Sequence, residues 1–95
     1  MFKITMDCIE IKPMTEYFSS DAKKGTEEFE QLIKKFEDEP QYIFRMRDQD
    51  QEVYYMGYSD DCTRPGGFDP LDMYGEYYGC LDIQYLNAMG EYERL

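Results

Sequence analysis

QYIFRMRDQDQEVYYMGY, residues 41–58, is the stretch whose reading decides the fold. Two aromatic and β-branched runs flank Asp48, Gln49 and Asp50, so it reads as a hairpin pairing 41–47 with 52–58. In the first arm Tyr42, Phe44 and Met46 alternate with Ile43, Arg45 and Arg47. Side chains on a strand point to opposite faces in turn, which sets both arginines outward, within reach of carboxylates on a neighbouring strand.

Toward the N-terminus, Pro40 closes an amphipathic helix. Phe29, Leu32, Ile33 and Phe36 fall at i, i+3, i+4 and i+7, one helical face, and read as core packing. Thr26 suits its N-cap, Glu27 and Glu28 the positive end of its dipole, and Lys34 and Lys35 the negative end. Residues 14–25 read as a connection, in which Met14, Tyr17 and Phe18 form at most one amphipathic turn. The opening run FKITMDC alternates Phe2, Ile4, Met6 and Cys8 against Lys3, Thr5 and Asp7, as a half-buried strand does. Ile9 and Ile11 change the parity, which predicts a bulge or the end of pairing near Cys8, and Pro13 stops the strand.

Toward the C-terminus, SDDCTRPGGF is a loop rich in turn formers. Asp69 and Pro70 read as an N-cap and first helical residue of a short turn ended by Gly75. CLDIQYL, residues 80–86, reads as the last strand, with Leu81, Ile83 and Tyr85 on one face. Met89, Tyr92 and Leu95, spaced by three, suit a helical turn or a frayed end. The expected architecture is one α+β domain over residues 1–95: a single antiparallel β-sheet of about four strands covered by one α-helix, in the order β, α, β, β, short turn, β.

Composition narrows the function. The formal charge is -11 and the pI about 4.2, yet 42% of residues are hydrophobic and 17% aromatic, too many for a disordered acidic tail. Anionic membranes repel such a chain and no run approaches the roughly 18 apolar residues of a span, so no membrane partner and a cytoplasmic location are expected. There is no histidine, and Cys8, Cys62 and Cys80 form no CxxC pair. That removes Ser/His/Asp and Cys/His nucleophiles and mixed zinc sites, leaving reduced thiols and a non-enzymatic protein with no cofactor.

The charge is uneven. Residues 1–47 hold eight basic and ten acidic residues, whereas 48–95 hold two basic and eleven acidic. The second part also holds eight of the ten tyrosines. Solubility of a small domain needs a net charge of only about 2 to 8, and self-repulsion beyond that opposes folding. A basic partner explains the excess: carboxylates two apart on a strand lie roughly 6.6 Å apart, a spacing comparable with that of backbone phosphates. Tyrosine is rigid, amphipathic and able to stack on arginine. The expected partner-binding set is Asp60, Asp61, Asp69, Asp72 and Glu76 with Tyr58, Tyr74, Tyr77 and Tyr78.

In size, acidity, tyrosine content and lack of a catalytic set, the whole chain resembles the small phage-encoded inhibitors of bacterial defence nucleases, the anti-CRISPR and antirestriction DNA mimics. The resemblance carries no aligned motif and transfers no site residues. It implies that the chain occupies a basic, nucleic-acid-binding surface of an effector such as a CRISPR nuclease complex in the cytoplasm of a bacterial host, without binding nucleic acid itself. The alternatives are an acidic protein-interaction domain, an immunity protein for a nuclease toxin, or a calcium module built from Asp60, Asp61, Asp69 and Asp72. Asp48, Asp50 and Glu52 begin like an EF-hand loop, but Val53 and Ser59 stand where glycine and glutamate are needed. Monomer and dimer are both open, with Phe68, Met73, Met89 and Leu95 as candidate exposed anchors.

Overall fold

Asp7 turns the chain back on itself. Its Oδ1 accepts the backbone N–H groups of Ile9 and Glu10 at 2.9 and 3.0 Å, and Ile11 adopts φ 55°. In the computed structural model, which describes residues 1–95, strand β1 (Phe2–Asp7) is therefore followed by a second strand, β2 (Lys12–Phe18), where a connection was expected. Pro13 does not end the pairing, because β2 is an edge strand and a proline there leaves no ladder hydrogen bond unmade. Helix α1 (Glu27–Asp38) follows, then β3 (Tyr42–Arg47), β4 (Val53–Ser59), the short helix α2 (Asp69–Met73), β5 (Asp82–Leu86) and β6 (Tyr92–Arg94).

The fold is α+β, but the sheet has six antiparallel strands, in the order β2-β1-β4-β3-β5-β6, and not about four under one helix. The two missed strands sit at the edges, each added by a tight reversal. At the C-terminal edge Asn87 does what Asp7 does at the other: its Oδ1 accepts the Met89 and Glu91 N–H groups, both at 2.9 Å, and β6 returns along β5 where a helical turn or fraying was expected. β6 has only three residues and no residue of β2 is fully buried, so neither carries a strong periodic signal.

Register decides which side chains meet. The pairing of β1 with β4 shifts between Ile4 and Met6, so the change of parity falls at Thr5, earlier than expected, and Met6 leaves the face that holds Phe2 and Ile4. On that face the sheet contributes Phe2, Ile4, Phe44, Met46, Tyr55, Ile83 and Tyr85 to one buried cluster. The cover is not α1. It is segment 60–81, which lays Leu71, Tyr74 and Cys80 over the cluster, with Phe68 and Met73 packed against it. Those two and Leu95 are therefore not exposed anchors; of the four named for a dimer, only Met89 is exposed. Leu81 lies outside β5 and is 61% exposed.

Helix α1 packs on the opposite face. Thr26 caps it as expected, its Oγ1 accepting the Phe29 N–H at 3.2 Å, and Phe29 and Phe36 are buried. Phe36 meets Tyr17 edge-on at 6.2 Å, and the Lys3 ammonium, which alternates with Phe2, pairs with Glu37 at 2.9 Å. Farther along this face Arg47 makes a two-pronged contact to Asp82 at 2.6 and 3.1 Å. Arg45 donates instead to Gln84 at 2.7 Å and lies over the Tyr92 ring.

Gly57, at the centre of β4, has no room for a side chain: a methyl would collide with the Lys3 carbonyl and come within 2.7 Å of Phe44 Cζ. Gly57→Ala is expected to cost at least about 1–3 kcal/mol, as overpacking does, read as a lower urea midpoint.

Candidate functional site

Segment 60–81 is anchored before it is exposed. Ser59, nearly fully buried, accepts the Asp61 N–H at 3.2 Å and donates to the Asp61 carbonyl at 2.9 Å. The Asp61 carboxylate turns inward, accepting the Thr63 N–H at 2.8 Å and hydroxyl at 2.6 Å, which hold its pKa below the usual carboxylate range. The Tyr85 hydroxyl donates to the Gly67 carbonyl at 2.8 Å and fastens the loop to the sheet. A 3₁₀ turn, Gly66–Phe68, leads into α2 with Phe68 at the N-cap, so Asp69 and Pro70 lie one place farther into the helix than expected.

Of the nine residues expected to meet a partner, the structure brings some together and separates others. Asp60, Asp69 and Asp72 are electrostatic neighbours, joined by Asp21 from the β2–α1 connection. Burial raises the Asp69 pKa, and Asp72, Asp60 and Asp21 raise it further against the lowering effect of the N-terminal ammonium. That ammonium pairs with Asp60 at 2.8 Å. Asp72 and Glu76 are exposed and take part in no ion pair. Asp61, partly buried, braces its own loop. Tyr58 lies on the other face of the sheet, its ring 5.5 Å from the Lys3 ammonium.

The tyrosines also divide. Tyr77 is 81% exposed on a second 3₁₀ turn, Gly75–Tyr78, whereas Tyr74 is only 9% exposed and belongs to the core. Tyr74 packs on Phe18 at 5.2 Å, Tyr55 at 5.0 Å and Tyr78 at 4.9 Å. With Tyr54 and Tyr55 of β4, Tyr74 and Tyr78 wall a cleft of about 370 Å³. Its remaining lining is the β1–β2 turn, through Asp7, Ile9 and Glu10. Burial raises the Tyr55 phenol pKa and raises that of Tyr74 strongly.

Asp21, Asp7 and Glu10 escaped the sequence reading because they are remote from the acidic segment in the chain. Asp7 and Glu10 are brought to the cleft by a reversal in which the Asp7 side chain accepts the backbone N–H two residues on, a contact that leaves no periodic pattern in the sequence. No three acidic or thiol groups converge where a metal ion would be held. The four carboxylates weighed as a calcium site are not assembled as ligands, and Asp48 instead accepts the N–H groups of Asp50 and Glu52 in the hairpin turn. No helix is long and apolar enough to cross a membrane.

Compared with models of known protein families, with curated proteins and with solved structures, the chain shows no significant match to any.

Because the folded pKa of Asp69 is raised, the folded state holds that proton more tightly than the unfolded chain, and stability is lost as pH rises from the ordinary carboxylate range through the raised value. Asp69→Asn is expected to raise the thermal midpoint modestly at about pH 7 and not at about pH 3, where the unfolded carboxyl is protonated too. Unfolding followed by circular dichroism at both pH values checks it; equal shifts at both contradict it.

Proposed function

We propose that this protein is a non-enzymatic acidic inhibitor that occupies the basic, nucleic-acid-binding surface of a protein effector in a bacterial cytoplasm, standing in for DNA phosphates as the anti-CRISPR and antirestriction mimics do. The observation that carries this reading is the charge left unneutralised. Only Glu16, Glu37, Glu39, Asp60 and Asp82, of 21 side-chain carboxylates, lie within 4.0 Å of a cation. Five of the ten basic residues are engaged by the fold: Lys3, Lys24, Lys35 and Arg47 pair with carboxylates, and Arg45 stacks on Tyr92, whereas Lys12, Lys23 and Lys34 are exposed and unpaired.

The anionic groups are not ranked along a strand, as the spacing argument anticipated. Those of the expected set lie on the connection after β4, on α2, where Asp69 and Asp72, three residues apart, have Cβ atoms about 5–6 Å from each other, and on the turn that follows it. Short helical and loop supports serve the same physics: each carboxylate that meets a lysine or arginine displaces a counterion from the basic surface, as a phosphate would. Opposite fields speed encounter and make it salt-sensitive.

Capture of partners from bacterial lysate at low and high salt tests this reading. The expected result is a nucleic-acid-binding protein that elutes at high salt and is displaced by duplex DNA. Asp72→Lys with Glu76→Lys, at two exposed sites without intramolecular partners, should keep the fold and weaken capture about tenfold or more. A partner indifferent to salt and DNA, or undiminished capture by the folded double variant, overturns it.

A further inference from the structure

The molecule already shows how it holds a positive charge. The Lys3 ammonium lies 5.7, 6.0 and 5.5 Å from the ring centres of Tyr17, Phe36 and Tyr58 and 2.9 Å from the Glu37 carboxylate. Ring faces attract the cation through their quadrupoles, and the acid balances its charge. Lys24, Arg45 and Arg64 similarly lie over Phe18, Tyr92 and Phe68. The cleft between the β1–β2 turn and segment 60–81 has the same constituents, several aromatic rings beside carboxylates, and none of the chain's own cations lies over its rings.

We infer that this tyrosine cleft is a binding site for an arginine side chain presented by a basic protein partner. Tyr55 and Tyr78 meet at 62°, and Tyr74 and Tyr78 at 40°, so the walls offer differently inclined ring faces. A guanidinium is planar, weakly hydrated and stacks on aromatic faces, which an ammonium does less well. The volume, about 370 Å³, is within the range of ligand pockets.

The lining supplies the charge. Asp7 uses Oδ1 to cap its turn, leaving Oδ2 without a partner in the chain, and Glu10 is exposed and takes part in no ion pair. The two oxygens of one carboxylate match the fork of a guanidinium, which Glu10 can offer, and the free Asp7 oxygen adds a second anionic acceptor. Ile9, 49% exposed, and Tyr78, 54% exposed, offer apolar surface to the methylene stem. The identity of the partner rests on the inhibitor reading; the chemistry of the cleft does not.

An NMR titration of the intact protein with Nα-acetyl-arginine amide, against the isosteric and neutral Nα-acetyl-citrulline amide, tests the site. Saturable shifts of the Tyr54 and Tyr78 rings and the Ile9 methyls are expected with arginine and not with citrulline. Tyr78→Ala should weaken the arginine response about three- to tenfold, the loss of one cation–π wall. Asp7→Asn with Glu10→Gln removes the charge and keeps the turn acceptor, and should abolish the preference for arginine over citrulline. No response, equal shifts with both probes, shifts mapping elsewhere, or an arginine response unchanged in both variants overturns the site. A silent cleft with salt-sensitive capture from lysate removes this site and leaves the inhibitor reading. A responsive cleft with no nucleic-acid-binding partner removes that reading and leaves the site.

Discussion

The burial of Tyr74 holds the acidic segment 60–81 to the rest of the molecule. Its ring joins Phe18 of β2, Tyr55 of β4 and Tyr78 of the following turn, so one side chain pins segment 60–81 to the sheet. Each aromatic pair contributes about 0.5–1.5 kcal/mol beyond the area it buries. Repulsion between exposed carboxylates about 4 Å apart in water is on the order of 1 kcal/mol, and less with salt. A few such contacts therefore outweigh the repulsion they must hold in check, and Asp69, Asp72 and Glu76 ride on a segment that cannot lift away.

The same packing divides the work between the two faces. On one, the acidic segment closes the core and leaves Asp72 and Glu76 outward. On the other, Lys3, Arg45 and Arg47 settle between rings, an amide and acids, which takes cations off the surface. Net charge alone says little about function, since any acidic domain is soluble. The pairing is more telling: the N-terminal ammonium is the one cation ion-paired within the acidic segment, at Asp60, and Asp69 is destabilised there by burial and its acidic neighbours. Proteins retain destabilising groups where function uses them.

Much of the scaffold was legible in the residues. The Phe29–Phe36 stripe with its Thr26 cap, and the alternation through Phe44 and Met46, each obey a local period that tertiary packing did not override. The edge strands were not legible, because Asp7 and Asn87 make the reversals through side-chain hydrogen bonds, and Pro13 reads as a stop unless the strand is known to be an edge. Nor could the sequence tell that the acidic segment, and not α1, covers the main core. Of the expected site, Asp60, Asp69, Asp72, Glu76, Tyr77 and Tyr78 lie where a partner could meet them. The Asp61 carboxylate is taken up by the hydroxyl of Thr63, two residues on in its own loop, and Tyr58 lies beside the Lys3 ammonium, which only the fold brings near.

The central claim is that the fold carries an uncompensated anionic surface at a cost to its own stability. The most direct measurement is the thermal unfolding midpoint in sodium chloride from about 0.01 to about 0.5 M, over which the screening length falls from roughly 30 Å to a few ångströms. The account predicts a midpoint that climbs steadily with salt as the repulsion is screened. A midpoint that stays level or falls would mean that the carboxylates are already balanced within the fold, and would contradict it.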